Sequence, residues 1–344
     1  MPDQAWIEGM PEHLDFESDG LRRYWVQLDY VHDNRPQRLA WPLVVCRRGR
    51  GPSVLVTGGT HGDEFEGQIA ATELIHRLDP VRVSGLLLIA PTLNRPACLA
   101  GARRSPIDDA DLNRRFPGLA GEGPSAAIAR FVTSALIGRA DVAIDIHSGG
   151  EAMEFVLSSN LQGRPGSPDL AAGLPALMAF DAPYAIVFDE VKAEGAMPHR
   201  GTLEGAAREL RKFAISSEIG GAGRVTPVSM QVARDGLRNL LHHFGVLKDP
   251  AARLAAQSRS RLLLLARPEH YLAAPVKGHF VPRCWLGDEV ERGQPVADLY
   301  QLDSGTLARQ EVRAPSSGIL VAAARRGPVQ PGEDLLYIAE PFSP

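Results

Sequence analysis

Two histidines and a glutamate stand in a pattern that could hold a metal ion with one position left open. In His61-Gly-Asp-Glu64 an imidazole and a carboxylate lie three residues apart, close enough for one turn to aim both at a single ion with bonds of about 2.0–2.2 Å. His147, inside DIHSGG, is distant in sequence but has the same setting, an apolar strand pattern that runs into glycines. Two histidines and a glutamate are the donor set of a catalytic zinc, with a fourth position for water. The same residue types also serve in loops where local hydrogen bonds satisfy them, and ten histidines in 344 residues make coincidence easy.

Hydrolysis at such an ion needs a group that takes a proton from water and returns it to the leaving nitrogen. Glu218 ends the apolar-rich segment KFAISSEIGG before a double glycine, the context of both histidine motifs. A turn or helix-capping carboxylate is the alternative there. In DADLNRRFPG, Asn113 and Arg114 could grip an anionic substrate group, since arginine pairs with a carboxylate in two parallel bonds. Arg103 or Arg104 could stabilise the oxyanion formed when water attacks a carbonyl. Asp145 shares a strand face with His147 and is positioned to orient it or another polar group. Asp63 and Glu66 suit either support of the ligand histidines or the dipole of a following helix, and for Glu66 the helix role is preferred.

The elements that must position these groups follow from periodicity. Residues 22–47 alternate loosely, as strands with one buried face do. SVLVTGGTHGDEFEG reads as a buried strand opening into glycines, QIAATELIHRL as a helix, and SGLLLIAPTLN as the next strand. Strand alternating with helix marks an α/β unit with a mainly parallel sheet, whose carboxyl edge is where ligands bind. The polar segment 95–124 has no apolar period and reads as a long functional loop. SAAIARFVTSALIG then reads as a helix and DVAIDIHSGG as a strand, and KFAISSEIGG leads into the helix through SMQVARDGLRNLLHHFG. From about residue 262 short apolar runs separated by Gly, Pro and acidic turns take over, with GDEVERGQPVADL weakly echoed by GPVQPGEDLLYI. The expected division is a catalytic α/β domain over 1–255 and a small all-β domain over 256–344 that shapes or covers the site.

Composition excludes several function classes. With 44% hydrophobic and 23% charged residues and a formal charge of -4, the chain is an ordinary folded protein without the basic tracts of a nucleic-acid binder. No stretch reaches the roughly 18 apolar residues of a membrane span, and the N-terminus lacks the basic run and apolar core of a secretory signal. Cys46, Cys98 and Cys284 are widely spaced and form no Cys-x-x-Cys pair, which fits a reducing, cytoplasmic setting. A homo-oligomer is compatible with the sequence.

Four motifs in this order resemble the aspartoacylase and succinylglutamate desuccinylase family of zinc carboxypeptidase-like proteins. They are GGTHGDEFEG, DLNRRFPG, DIHSGG and SEIGG. The resemblance spans about residues 25–340. It implies one zinc ion held by His61, Glu64 and His147, Glu218 as general base and acid, Asn113 and Arg114 on the substrate carboxylate, and Arg103 on the carbonyl. RRSPIDDADLNRRFPG, HSGG and Ala182-Pro183-Tyr184 are most similar to the branch with N-alpha-acetyl-L-2,4-diaminobutyrate deacetylases of ectoine breakdown. Where that branch continues with a lysine-containing stretch, this chain has Glu151-Ala152-Met153-Glu154, acids that suit an amine-bearing substrate or point to a different acyl amino acid. The implied activity is hydrolysis of the amide bond of a small N-acylated amino acid. A metallocarboxypeptidase would need a groove open to a peptide, and a non-catalytic relative would have lost ligands that are present. A biotinyl or lipoyl carrier role for the C-terminal part would need a lysine at a hairpin tip, and the one lysine after residue 250, Lys277, lies outside that hairpin.

Overall fold

The computed structural model describes residues 5–118, 123–189, 201–302, 305 and 307–344. Its N-terminal strands are β1 (Ile7–Gly9), β2 (Gly20–His32) and β3 (Arg35–Arg48), the last two a long antiparallel hairpin. Then β4 (Ser53–Gly58), α1 (Phe65–Arg77), β5 (Gly85–Ala90), α2 (Arg95–Ala100), α3 (Pro124–Phe131) and β6 (Val142–His147) alternate as expected. Among its described residues the long polar segment contains α2 and a 3-10 turn at Leu112–Arg114. Next come β7 (Met153–Phe155), β8 (Ser158–Gln162), α4 (Pro168–Ala179), β9 (Tyr184–Phe188), α5 (Leu203–Glu209), β10 (Phe213–Glu218) and α6 (Pro227–His243).

Short strands make up the remainder: β11 (Arg261–Leu265), β12 (Tyr271–Ala273), β13 (Gly278–Pro282), β14 (Glu289–Val290), β15 (Pro295–Gln301), β16 (Ala308–Arg313), β17 (Gly318–Ala324), β18 (Pro328–Val329) and β19 (Asp334–Pro341). Among the described residues no helix is long and apolar enough to cross a membrane.

The central sheet is mixed. Its middle, β5-β4-β6-β10, is parallel throughout, while β3 joins β5 and β8 joins β10 antiparallel. Parallel strands buried on both faces become continuous apolar runs, and all six residues of GLLLIA in β5 are buried. The faces still separate by alternation. Val54, Val56, Ile144, Ile146 and Ile215 pack towards α1, α4 and α6, whereas Leu55, Ala143 and Ala214 pack towards α3 and α5. Asp145 and His147 on β6, and Ser216 and Glu218 on β10, therefore fall on the α3/α5 face. A strand's two-residue period puts these polar groups there without interrupting the opposite core.

Two glycines set the distance from helix to strand. A Cβ on Gly67 of α1 would lie 2.2 Å from the Ile146 carbonyl oxygen, and one on Gly58 would lie 2.4 Å from the Gly67 backbone. Gly59, at φ +73°, then turns the chain into the His61 loop, a conformation that costs a glycine little.

The C-terminal strands form a small all-β domain with its own core of Phe280, Val296, Leu299, Val312, Leu336 and neighbours. It is not a separate bead, because the main sheet runs on through β9-β11-β19-β17. The short β7, which follows the His147 motif, pairs antiparallel with β17.

Candidate metal centre and active site

Three parallel strands deliver the chemistry to one edge. Across β6 and β10 the register sets Glu218 opposite His147 and Ser216 opposite Asp145, and across β4 and β6 it sets Thr57 opposite Asp145. His61 and Glu64 arrive on the loop between β4 and α1.

The two imidazoles are 5.2 Å apart between ring centres, and Glu64 lies between them. His61 Nδ1 is 2.7 Å from Glu64 Oε1, and His147 Nδ1 is 2.7 Å from Glu64 Oε2. The Ser148 backbone N–H donates to Oε2 at 3.2 Å. Each outer nitrogen meets a carboxylate, His61 Nε2 with Asp111 Oδ1 at 3.1 Å and His147 Nε2 with Asp145 Oδ2 at 2.8 Å. With Nε2 committed to a carboxylate, Nδ1 is the nitrogen left to face an ion, which is how metal-binding histidines are commonly oriented. One ligand atom from each of His61, Glu64 and His147 lies within 4.8 Å of the others. The donor set and its outer bonds thus fit a divalent zinc.

The carboxylates make the pocket favourable to positive charge. Burial would raise Glu64, but the two histidines hold its carboxyl well below the ordinary range. For His147, burial is outweighed by Asp145 and Glu64, which favour the proton. Glu218 goes the other way: burial and then Glu64 push it up to about 8, against His147, His61 and Arg103. Its Oε2 is buried without a partner among the described residues. An acid held in that range can both accept and return a proton near neutrality.

A cavity of about 580 Å3 brings together seven of the groups singled out in the sequence, His61, Glu64, His147, Glu218, Arg103, Asn113 and Arg114, while Arg104, Asp63, Glu66 and Asp145 lie outside its lining. Arg103 reaches Glu64 Oε1 at 3.5 Å and Asp111 Oδ2 at 3.4 Å. Arg104 instead pairs with Asp109 at 3.3 Å, and both side chains are more than half exposed. Asn113 accepts the Leu203 backbone N–H with its Oδ1 at 2.9 Å, so its free offer to a ligand is the amide NH2.

Residues 50–244 match the succinylglutamate desuccinylase/aspartoacylase catalytic domain. A relative named N-alpha-acetyl-L-2,4-diaminobutyric acid deacetylase, from Halomonas elongata, is 34% identical over 343 residues, covering 95% of this chain and 94% of that protein. The chain belongs to the succinylglutamate desuccinylase/aspartoacylase family. Among solved structures, the product-bound ectoine utilization protein of Ruegeria pomeroyi is similar at 30% identity and a TM-score of 0.85, covering 95% of this chain and 98% of that one. A succinylglutamate desuccinylase/aspartoacylase from Rhodobacter sphaeroides has 29% identity and the same TM-score, covering 96% and 98%.

Several residues of this family member's site are not evident from motif reading. Asp111 could have been marked from DADLNRR, since an aspartate two residues before Asn113 accepts that residue's backbone N–H at 2.9 Å and starts the turn. Thr57 and Thr60, which donate to Asp145, look like ordinary strand and loop residues. Glu204, on α5, has no motif of its own. It is 7% exposed and lines the cavity. Burial, then Asp145, push it above the ordinary carboxylate value. Tyr271, Ala324, Arg326, Val329 and Tyr337 come from the C-terminal domain and close the far side of the cavity.

The acids suggested above as contacts for an amine have other partners. Glu154 binds Arg325 at 2.5 Å and Arg224 at 3.3 Å, and Glu151 binds Arg326 at 2.9 Å. They fasten the loop after His147 to the C-terminal domain. Asp63 accepts the Glu151 backbone N–H at 2.9 Å, and Glu66 accepts the Ser229 hydroxyl of α6 at 3.0 Å. Both therefore support loop and helix packing, and among the described residues neither bonds to a histidine.

Proposed function

We propose that this protein hydrolyses the amide bond of a small N-acyl amino acid, with one zinc ion held by His61, Glu64 and His147. The observation that carries the reading is the pair of imidazoles with both Nδ1 atoms turned to Glu64 and both Nε2 atoms tied to carboxylates, facing the cavity that holds Glu218. When bound, the ion supplies a Lewis acid and lowers the pKa of a water. Glu218 takes the proton from the attacking water and hands it to the departing amine nitrogen. Arg103 faces the oxygen that gains charge as the carbonyl is attacked, while Asn113 and Arg114 hold the substrate carboxylate. The products are a carboxylic acid and a free amino acid.

Nα-acetyl-L-2,4-diaminobutyrate is the substrate we favour, on the strength of the named relative in Halomonas elongata and the ectoine utilization protein of Ruegeria pomeroyi. The unpaired cysteines fit a reducing cytoplasm, and we divide the chain into a catalytic part over 1–255 and a covering part over 256–344.

The test is metal analysis of the purified protein combined with a deacylation screen of acetyl, succinyl, formyl and aspartyl-type amino acids. One zinc per chain and release of acetate from the diamino acid derivative are expected, with blocked dipeptides left intact. Folded, zinc-loaded protein that leaves every small N-acyl amino acid uncut would overturn the reading.

A further inference from the structure

The cavity holds a buried carboxylate that deacylation does not use. The other buried acids around the histidines have a charged or catalytic task. Glu64 meets two imidazoles, Asp111 meets His61 and Arg103, Asp145 takes His147 Nε2, and Glu218 moves the proton. Glu204 has no lysine or arginine partner among the described residues. The Ser216 hydroxyl and its own backbone N–H lie near enough to favour its charged form, against burial and Asp145.

Glu204 has an oxygen within 4.8 Å of ligand atoms of both His147 and Asp145. Asp145 already bonds His147 Nε2 at 2.8 Å, so orienting that ring does not require Glu204. A carboxylate buried beside a second one, Asp145, and without a lysine or arginine of its own carries a desolvation cost that His147, already bonded to Asp145, offsets only in part. A ligand that brings its own cation to this wall of the cavity removes that cost. The anion-gripping pair Asn113 and Arg114 lines the same cavity, which therefore offers complementary charges to a substrate with a carboxylate and an ammonium group.

Two other acids in the lining, Glu333 and Asp334, do not fit this role. They are exposed at the mouth, where water screens them. Glu333 also accepts the Gln330 backbone N–H, and Asp334 accepts the Tyr337 hydroxyl.

We propose that Glu204 reads the substrate side chain, accepting a hydrogen bond from a primary ammonium, so that N-acyl diamino acids are preferred over uncharged isosteres. The proposal rests on the deacylase reading above and assigns its specificity to one residue. The experiment compares zinc-loaded wild type and Glu204→Gln on Nα-acetyl-2,4-diaminobutyrate and on Nα-acetylnorvaline, which replaces the ammonium with a methyl group. Zinc content is measured for both proteins.

Wild type should favour the diamino substrate. Glu204→Gln should lower kcat/KM for it by about 10- to 100-fold, chiefly through KM, the loss expected when a charged hydrogen bond is removed. The norvaline derivative should change by less than about threefold, with zinc retained. An equal loss on both substrates, or a loss of zinc, assigns Glu204 to support of His147 and overturns the proposal. Wild type that cleaves both compounds equally well overturns it without any variant and leaves the deacylase reading standing. Zinc-loaded wild type inactive on both overturns that reading, and this one with it.

Discussion

Asp145→Asn tests whether the outer carboxylates make the histidines into ligands. Asp145 is fully buried, and it accepts from Thr57 Oγ1 at 2.7 Å, from Thr60 Oγ1 at 2.8 and 3.0 Å, and from His147 Nε2 at 2.8 Å. Asparagine fills the same space with one acceptor oxygen in place of two. If its NH2 faces His147, Nε2 must accept and the ring proton moves to Nδ1, the nitrogen that faces Glu64. If the NH2 faces the threonines, their hydroxyls turn to accept it and His147 loses only the charge of its partner. The second arrangement is the cheaper one. A charged hydrogen bond contributes about 1.5–3 kcal/mol and a neutral one about 0.5–1.5 kcal/mol, so the loss is roughly 1–1.5 kcal/mol, or about 5- to 15-fold in affinity. Any population of the wrong tautomer adds to this, towards the upper end of the 10- to 100-fold typical of such partners.

The assay is zinc competition against a chromophoric chelator, with near-ultraviolet circular dichroism to establish the fold. Asp111→Asn is the internal comparison. Its bond to His61 is longer, at 3.1 Å, and its side chain is 18% exposed, so it should cost less than Asp145→Asn. Folded Asp145→Asn protein that binds zinc within about twofold of wild type, or an Asp111→Asn loss that exceeds it, would refute the reasoning, because burial would then not govern the strength of the outer bond.

Glu218→Gln should keep its zinc and lose about 10²- to 10⁴-fold in turnover; full turnover in steady-state assays would remove Glu218 from the mechanism. A general base works deprotonated, so a raised pKa means that kcat/KM falls as pH drops through it. With Glu218 pushed up to about 8 by burial and Glu64, and lowered again by a bound dication, the rising limb should lie between pH 5 and 8. A profile flat across that interval would contradict the assignment. Gly67→Ala raises helix propensity by about 1 kcal/mol, yet its Cβ would lie 2.2 Å from the Ile146 backbone oxygen. Overpacking against backbone costs about 3 kcal/mol, so a lowered denaturation midpoint is expected, and a raised one would show that α1 can shift freely.

Much of the site was legible in the sequence because its residues repeat one local device. A buried strand, a polar residue and glycines occur together at His61, His147 and Glu218; in the fold His147 and Glu218 end β6 and β10, and His61 follows β4 by three residues. Asp145 was readable from two-residue periodicity. The sheet was legible where strand and helix alternate and less so beyond. Periodicity specifies which face is buried but not whether a neighbour runs parallel or antiparallel, so β3 and β8 make the sheet mixed. Glu204 and the C-terminal tyrosines were hidden for a different reason. They reach the cavity through tertiary packing alone, and nothing in TLEGAARE separates an inward glutamate from a solvated one until α5 is laid across β10. Glu151 and Glu154 failed in the opposite direction, since acids beside a ligand motif suggest substrate contacts while their arginine partners lie about 175 and 171 positions away.

Those distant partners bear on how large a substrate the site admits. The loop that begins at His147 passes through Gly149 and Gly150 into β7, and there it pairs with β17 and is tied by Glu151 and Glu154 to Arg326 and Arg325. Arg326, Ala324 and Tyr337 of the same C-terminal layer line the cavity. The wall that limits the substrate and the loop that begins at His147 are thus one hydrogen-bonded unit, continuous with the main sheet through β11 and β19. Opening the cavity enough for a peptide to pass would break strand pairing and buried contacts in that unit, not merely swing aside a surface loop. Restriction to small acylated amino acids is in this sense a property of the sheet, set by the same strands that hold His147 in place.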